Sequence, residues 1–194
     1  MLELSLGLFL FLGAHSTRIF ASGWRTSMQQ RLGPIRWKAL YSLVSLLGLG
    51  LLIYGWSLAR LEPVVLWTSP TGFKHAAALL TLLAFVLFVA AYVPGNKIKA
   101  RLHHPMVLGT KIWALSHLLA NNTLADLLLF GSFLFWSVLL FIVSRRRDRL
   151  ESITYPAGRV GPTLWVLGLG FASWAAFAFW LHAALIGVRP LGGA

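Results

Sequence analysis

The sequence predicts an all-α polytopic membrane protein, with six transmembrane helices in one bundle and both chain termini outside. Its composition, its apolar segments and the charge of its connections all support this fold. Of the 194 residues, 58% are hydrophobic and only 11% are charged, against about 45–50% and about 25% in ordinary soluble domains. A soluble domain of this size cannot bury so much apolar surface. The composition therefore excludes a soluble enzyme.

Six apolar segments approach the roughly 20 residues that a membrane-spanning helix needs. They are residues 2–21, 39–58, 73–93, 105–120, 124–143 and 163–188. Pro105 suits the first turn of the fourth helix, and the three polar residues 121–123 predict a tight hairpin between the fourth and fifth. No linker is long enough to divide the chain, so residues 1–194 form a single domain.

Along the chain, connections that are rich in lysine and arginine alternate with connections that are not. The first (22–38), the third, from Lys97 to Arg101, and the fifth, from Arg145 to Arg159, are basic, whereas 59–72 and 121–123 are not. Basic connections stay in the cytoplasm, which places both termini outside. We assign the net charge of +12 to topology and to contact with anionic lipid headgroups, and not to a nucleic-acid partner.

Small residues predict where helices approach closely. Ser45, Gly48 and Gly55 share one face of the second helix. A similar face is expected in the sixth helix from Gly168, Ala172, Ala175 and Ala183. Faces of this kind allow close helix packing in lipid.

Only two histidines lie deep in the predicted membrane segments, His15 in the first helix and His117 in the fourth. Two neutral imidazoles could bind a haem iron from both sides, with Trp113 beside His117 as a pocket wall and Arg18, one turn from His15, paired with a propionate. The absence of cysteine excludes covalent c-type haem and thiolate sites. The other interpretation is structural, with each histidine hydrogen-bonded to a carbonyl and the arginine reaching the interface.

Four stretches of the chain carry a family resemblance. They are residues 13–20 (GAHSTRIF), 103–117 (HHPMVLGTKIWALSH), 119–121 (LAN) and 126–133 (DLLLFGSF). They resemble the NnrU family of bacterial membrane proteins, with a pattern H-P-x-x-x-G-T-x-x-W-A-x-x-H from His104 to His117. The resemblance implies a multi-pass protein of the bacterial inner membrane with periplasmic termini, associated with denitrification and with nitrite and nitric oxide reductases as partners. The candidate cofactor-binding residues are His15, Arg18, His104, Trp113 and His117.

The NnrU family is similar to the plastid zeta-carotene isomerase, which is described as holding haem b between two histidines. Those ligands match His15 and His117, whereas the cysteine three residues before the second ligand is replaced by Ala114. Three functions follow as hypotheses. The first is a haem-b protein with a redox, sensing or accessory role in nitrogen-oxide respiration, with nitric oxide as its small ligand. The second is a haem-dependent cis–trans isomerase of an apolar polyene, and the third is a cofactor-free transport or assembly protein.

Overall fold

The computed structural model describes residues 1–191, except for the side chain of Thr71, and its regular structure is helical throughout. Residues 192–194 of the predicted domain lie outside the described part of the chain. The helices are α1 (Leu2–Phe20), α2 (Ser22–Ala59), α3 (Thr71–Tyr92), α4 (Lys97–Leu102), α5 (Pro105–Ala120), α6 (Leu124–Leu150), α7 (Val160–Ala176) and α8 (His182–Ile186), with a π-helical turn, Phe177–Leu181, joining the last two.

The long helices form an open row in the order α2, α1, α6, α5, α3, α7, in which each packs mainly against its neighbours. Within the predicted all-α bundle, the helices are thus arranged side by side and not around a common centre. The accessible surface is 11979 Å², against about 9,100 Å² for a globular protein of this mass. An open row is stable in a membrane because lipid can cover apolar faces that water would force together.

Four helices are long and apolar enough to cross a membrane, namely Ser22–Ala59, Gly72–Tyr92, Leu124–Leu150 and Val160–Ile186. The chain is thus an all-α protein with candidate membrane-spanning helices. The two other long helices, α1 and α5, have 19 and 16 residues. These two helices carry the candidate ligands His15 and His117.

The first connection was predicted as a basic loop, but residues 22–32 are helical and belong to α2. The helix breaks at Gly33, whose φ of 76° and ψ of 163° precede Pro34. The ring of Trp24 contacts Trp37 at a centroid distance of 6.0 Å, so the first part of α2 turns back onto the second. The prediction failed because hydropathy detects spans, whereas a polar stretch without glycine or proline in its middle can also be helical.

Glycines allow α1 and α2 to pack backbone against backbone. A Cβ atom at Gly48 would lie 2.6 Å from the Phe11 nitrogen, and one at Gly55 or Gly7 would collide with the backbone of Leu4 or Leu52. The predicted close-packing role of Gly48 and Gly55 is therefore confirmed.

The face predicted for the last helix is wrong. A Cβ at Gly168 would meet nothing within 4 Å, whereas one at Gly170 would lie 2.8 Å from the Val86 Cα of α3. The face of α7 that packs against α3 consists of Val166, Gly170 and Trp174, which are spaced four residues apart. Trp174 Nε1 donates to Thr81 Oγ1 of α3 at 3.1 Å. Small size alone did not identify this face because two of its three members are large.

Successive connections lie at opposite ends of the row. Val65 bridges Thr123 at one end, and Asn96 bridges Arg159 at the other. The first of these ends also holds the end of α8, because Arg60 Nη1 donates to the Ile186 carbonyl at 2.7 Å. We call the opposite end, with connections 93–104 and 151–159, the basic end. It also holds the end of α1, since Arg147 Nη2 donates to the Arg18 carbonyl at 3.3 Å.

Candidate functional site

His15 lies on α1, and aromatic side chains from three helices surround it. Its ring centroid is 4.4 Å from that of Phe11, 5.3 Å from Tyr41 of α2 and 6.1 Å from Trp136 of α6. Its Nδ1 donates to the Phe11 carbonyl oxygen at 2.7 Å. Because a carbonyl only accepts, the proton is on Nδ1, and Nε2 keeps its lone pair.

Two buried polar atoms near His15 have no hydrogen-bond partner among the described residues, Trp136 Nε1 and Ser45 Oγ. Trp136 contacts the imidazole edge-on. Ser45 lies opposite Ala14, because the antiparallel register brings Gly48 to Phe11 and Gly55 to Leu4. A buried polar group without a partner costs about 1–3 kcal/mol. The surroundings of His15 are thus suited to a ligand that supplies polar atoms.

His117 repeats the arrangement of His15 on α5. Its Nδ1 donates to the carbonyl of Trp113, four residues earlier, at 2.9 Å. The imidazole stacks on Phe130 of α6 at 4.5 Å and 29°, and it contacts the Trp113 ring at 5.0 Å. Donation of one ring nitrogen to a carbonyl is the usual way in which proteins orient a metal-binding histidine. Both imidazoles are therefore held with Nε2 available.

The two imidazoles flank α6 and do not contact each other in the described structure. Three rings in series lie between them, with Phe133 of α6 in the middle, 5.9 Å from Phe11 and 5.6 Å from Trp113. The donor atoms fit a haem with two histidine ligands, which needs two neutral imidazoles. The Phe11, Phe133 and Trp113 rings fill the space between them, so a flat macrocycle can enter only if these side chains move, Phe133 in the middle among them.

Arg18 lies one turn beyond His15 near the end of α1, and its side chain is exposed. No carboxylate lies within 4 Å of its guanidinium among residues 1–191. Arg18, which was predicted to pair with a haem propionate, thus has no carboxylate partner among the described residues and lies on the same helix as His15.

His104 lies at the basic end, away from His117. It is the N-cap residue of α5, and thirteen residues of helix, about 20 Å, separate it from His117. Its Nε2 lies 2.8 Å from Asp148 Oδ2, which also accepts from the Tyr155 hydroxyl at 3.1 Å. The ring of His103 stacks on Tyr155 at 4.0 Å. The structure therefore joins His104 to a separate polar cluster.

Burial raises the pKa of the Tyr155 hydroxyl above its usual value, and its hydrogen bond to Asp148 acts in the same direction. Burial also lowers the pKa of His103, and the nearby Arg145 guanidinium lowers it further. The sequence analysis missed Asp148 and Tyr155. Both lie in the segment from Arg145 to Arg159, which was noted only for its positive charge, and nothing in the local pattern indicates that this segment contacts the start of α5.

Asp126 is the one acid in the fifth apolar segment, and all its contacts fit a structural role. Its backbone nitrogen donates to Thr123 Oγ1 at 3.2 Å and its carboxylate accepts from that hydroxyl at 2.6 Å. The other carboxylate oxygen accepts from Trp56 Nε1 at 3.2 Å. Capping of α6 and a link to α2 account for this residue. No group of three histidine, cysteine or acidic side chains that could hold a metal ion occurs within residues 1–191.

Comparison with known proteins gives one positive result. The sequence matches the NnrU protein family over residues 3–190. No curated protein matches the chain, and no solved structure matches it. Because the match covers nearly all of its length, the chain belongs to the NnrU family.

Proposed function

We propose that this NnrU-family chain is an integral protein of the bacterial inner membrane that binds haem b through His15 and His117 and supports the reduction of nitrogen oxides. The observation that carries the proposal is the matched arrangement of the two imidazoles. Each donates from Nδ1 to the carbonyl four residues earlier, and a continuous series of aromatic rings joins them. Haem b suits a chain without cysteine because it needs no covalent attachment.

We further propose that all six long helices cross the membrane, with the basic end in the cytoplasm and both termini in the periplasm. The support is the alternation of the connections between the two ends of the row, combined with their charge. The 16 residues of α5 give about 24 Å of helix, and Phe130 and Trp113 shield His117 on it from water.

The residues would have distinct tasks around the cofactor. His15 and His117 would hold the iron through Nε2, while the Phe11 and Trp113 carbonyls keep each imidazole in the tautomer that leaves Nε2 free. Arg18 pairs with a propionate at the basic end, and Trp113 forms an apolar wall that excludes water. A haem bound by two histidines supplies one-electron transfer, which suits a redox partner of nitrite or nitric oxide reductases.

Haem content of ligand variants tests the proposal. We expect His15→Ala and His117→Ala, purified in detergent after expression with added haem, each to lose most of the haem found in the unaltered protein. His75→Ala and His104→Ala are matched controls, since the former is exposed and the latter is held by Asp148, and both should keep full haem content. Equal haem content in all four variants would refute the assignment of the ligands.

The physiological part of the proposal has its own test. A denitrifying host that lacks its own family member should regain nitrite and nitric oxide reduction with the unaltered chain and with His75→Ala. We expect no recovery with His15→Ala or His117→Ala at equal membrane abundance. Full recovery with the ligand variants would show that the chain supports nitrite and nitric oxide reduction without haem bound by His15 and His117.

A further inference from the structure

A groove of about 250 Å³ runs between α1 and α6 and borders the surroundings of His15 at Trp136. Its lining is apolar apart from Ser16 and Ser132. Two lining residues, Phe9 and Phe135, are 75% and 68% exposed, so the groove opens to the surface of the row. In a membrane this surface faces lipid.

The groove has the length of one lipid leaflet. Its lining on α1 extends from Leu8 to Phe20, which is about 18 Å of helix. Half of the roughly 30 Å hydrocarbon core of a bilayer is about 15 Å. On α6 the lining runs from Ser132 to Leu139, about 10 Å of helix. The groove can therefore hold much of one extended acyl chain that runs along α1.

Cations lie where the groove meets the basic end. Arg146 is seven residues after the lining residue Leu139 and so occupies the same face of α6, about 10 Å further along the helix. The Arg147 guanidinium reaches the carbonyl of Arg18 at the end of α1. Neither arginine has a carboxylate within 4 Å in the described part of the chain. The end of the groove thus carries two positive charges without an internal partner.

The interface between α1 and α6 is also the least tightly packed in the row. Gly13 lines the groove on α1, and a Cβ atom there would meet nothing within 4 Å. By contrast, Gly7 on the same helix lies against the backbone of α2. The space beside Gly13 is therefore a seam between the α1–α2 pair and the other helices.

We propose that an anionic phospholipid occupies this seam, with one acyl chain in the α1–α6 groove and its phosphate bound by Arg146 and Arg147. The bound lipid fills the gap between α1 and α6 and stabilises their contact. The proposal rests on the membrane location with the basic end in the cytoplasm, and it does not depend on haem.

Native mass spectrometry of the detergent-purified full chain, with phosphatidylglycerol or phosphatidylcholine added, tests the proposal. We expect retained phosphatidylglycerol and little phosphatidylcholine. The double variant Arg146→Gln/Arg147→Gln should weaken phosphatidylglycerol binding by about thirtyfold, or roughly fivefold to sixfold per arginine. Arg149→Gln, an exposed arginine on another face of α6, is the control and should bind nearly as the unaltered protein does.

A second pair of variants tests the groove. Gly13→Trp fills it, whereas Gly50→Trp adds the same side chain at an open position of α2. Of these two variants, we expect only Gly13→Trp to lose the bound lipid and the rise in melting temperature that the lipid confers. Gly13→Leu repeats the test with a smaller side chain. Equal binding of the two lipids, or equal binding by Gly13→Trp and Gly50→Trp, would overturn the proposal. Haem content is compared on the Arg146→Gln/Arg147→Gln variant, because the groove residue Trp136 also contacts His15, and in that variant it should not change.

Discussion

Replacement of Gly48 by alanine tests the close packing that positions His15. The new Cβ would lie 2.6 Å from the nitrogen and 3.0 Å from the Cα of Phe11, whereas carbon atoms pack best at about 3.5–4.0 Å. Because backbone atoms cannot rotate away, α1 and α2 must separate by about 1 Å. Overpacking of this kind costs about 1–3 kcal/mol.

Gly50→Ala provides the matched control, since a Cβ at Gly50 meets nothing within 4 Å. Both substitutions gain the higher helix propensity of alanine, about 1 kcal/mol, so this gain cancels between them. We expect Gly48→Ala to have a free energy of unfolding about 2 kcal/mol lower than that of Gly50→Ala.

The assay is unfolding in mixed micelles with increasing dodecyl sulfate, followed by far-UV circular dichroism. Gly48→Ala should also weaken haem retention, because separation of α1 from α2 moves His15 away from Tyr41 of α2. Equal unfolding free energies for the two variants would show that the α1–α2 contact is looser than described, and would refute the reasoning.

Three further predictions follow from individual contacts. Phe133→Ala should speed haem uptake by the apoprotein, since Phe133 closes the space between the candidate ligands; unchanged uptake would contradict this role. Asn96→Ala should lower the free energy of unfolding by about 2 kcal/mol, because Asn96 Oδ1 caps α4 and its Nδ2 donates to the carbonyls of Ala90 in α3 and of Val93 just after it. A loss no larger than that from alanine at an exposed asparagine would contradict this role. The fold raises the pKa of Tyr155, which means that it favours the protonated hydroxyl. Tyr155 therefore contributes its full stabilisation below pH about 10, and this stabilisation is lost as the pH rises through the pKa of the folded state. Melting curves of Tyr155→Phe should lack this alkaline loss, and an identical pH profile would exclude Tyr155 as its source.

Features set by local sequence were predicted correctly. Pro105 in the first turn of α5, the hairpin joint before Leu124 and the close-packing glycines Gly48 and Gly55 all follow from residue type and spacing. These features depend on steric and hydrogen-bonding properties that a residue has wherever it occurs along a helix.

Features that depend on distant parts of the chain were not predicted. Nothing local shows that α6 lies between α1 and α5, and so the insertion of Phe133 between His15 and His117 was missed. The contact of His104 with Asp148 joins residues 44 positions apart. Both follow from the order of helices in the row, which apolar periodicity does not encode.

The absorption spectrum of the purified chain, oxidised and then reduced with dithionite, tests the central claim most directly. A pyridine haemochrome assay on the same sample gives the identity and amount of haem. The account predicts a low-spin haem b with sharp reduced bands, at about one haem per chain, lost together with either His15 or His117. A folded protein that stays colourless after haem is added would contradict it.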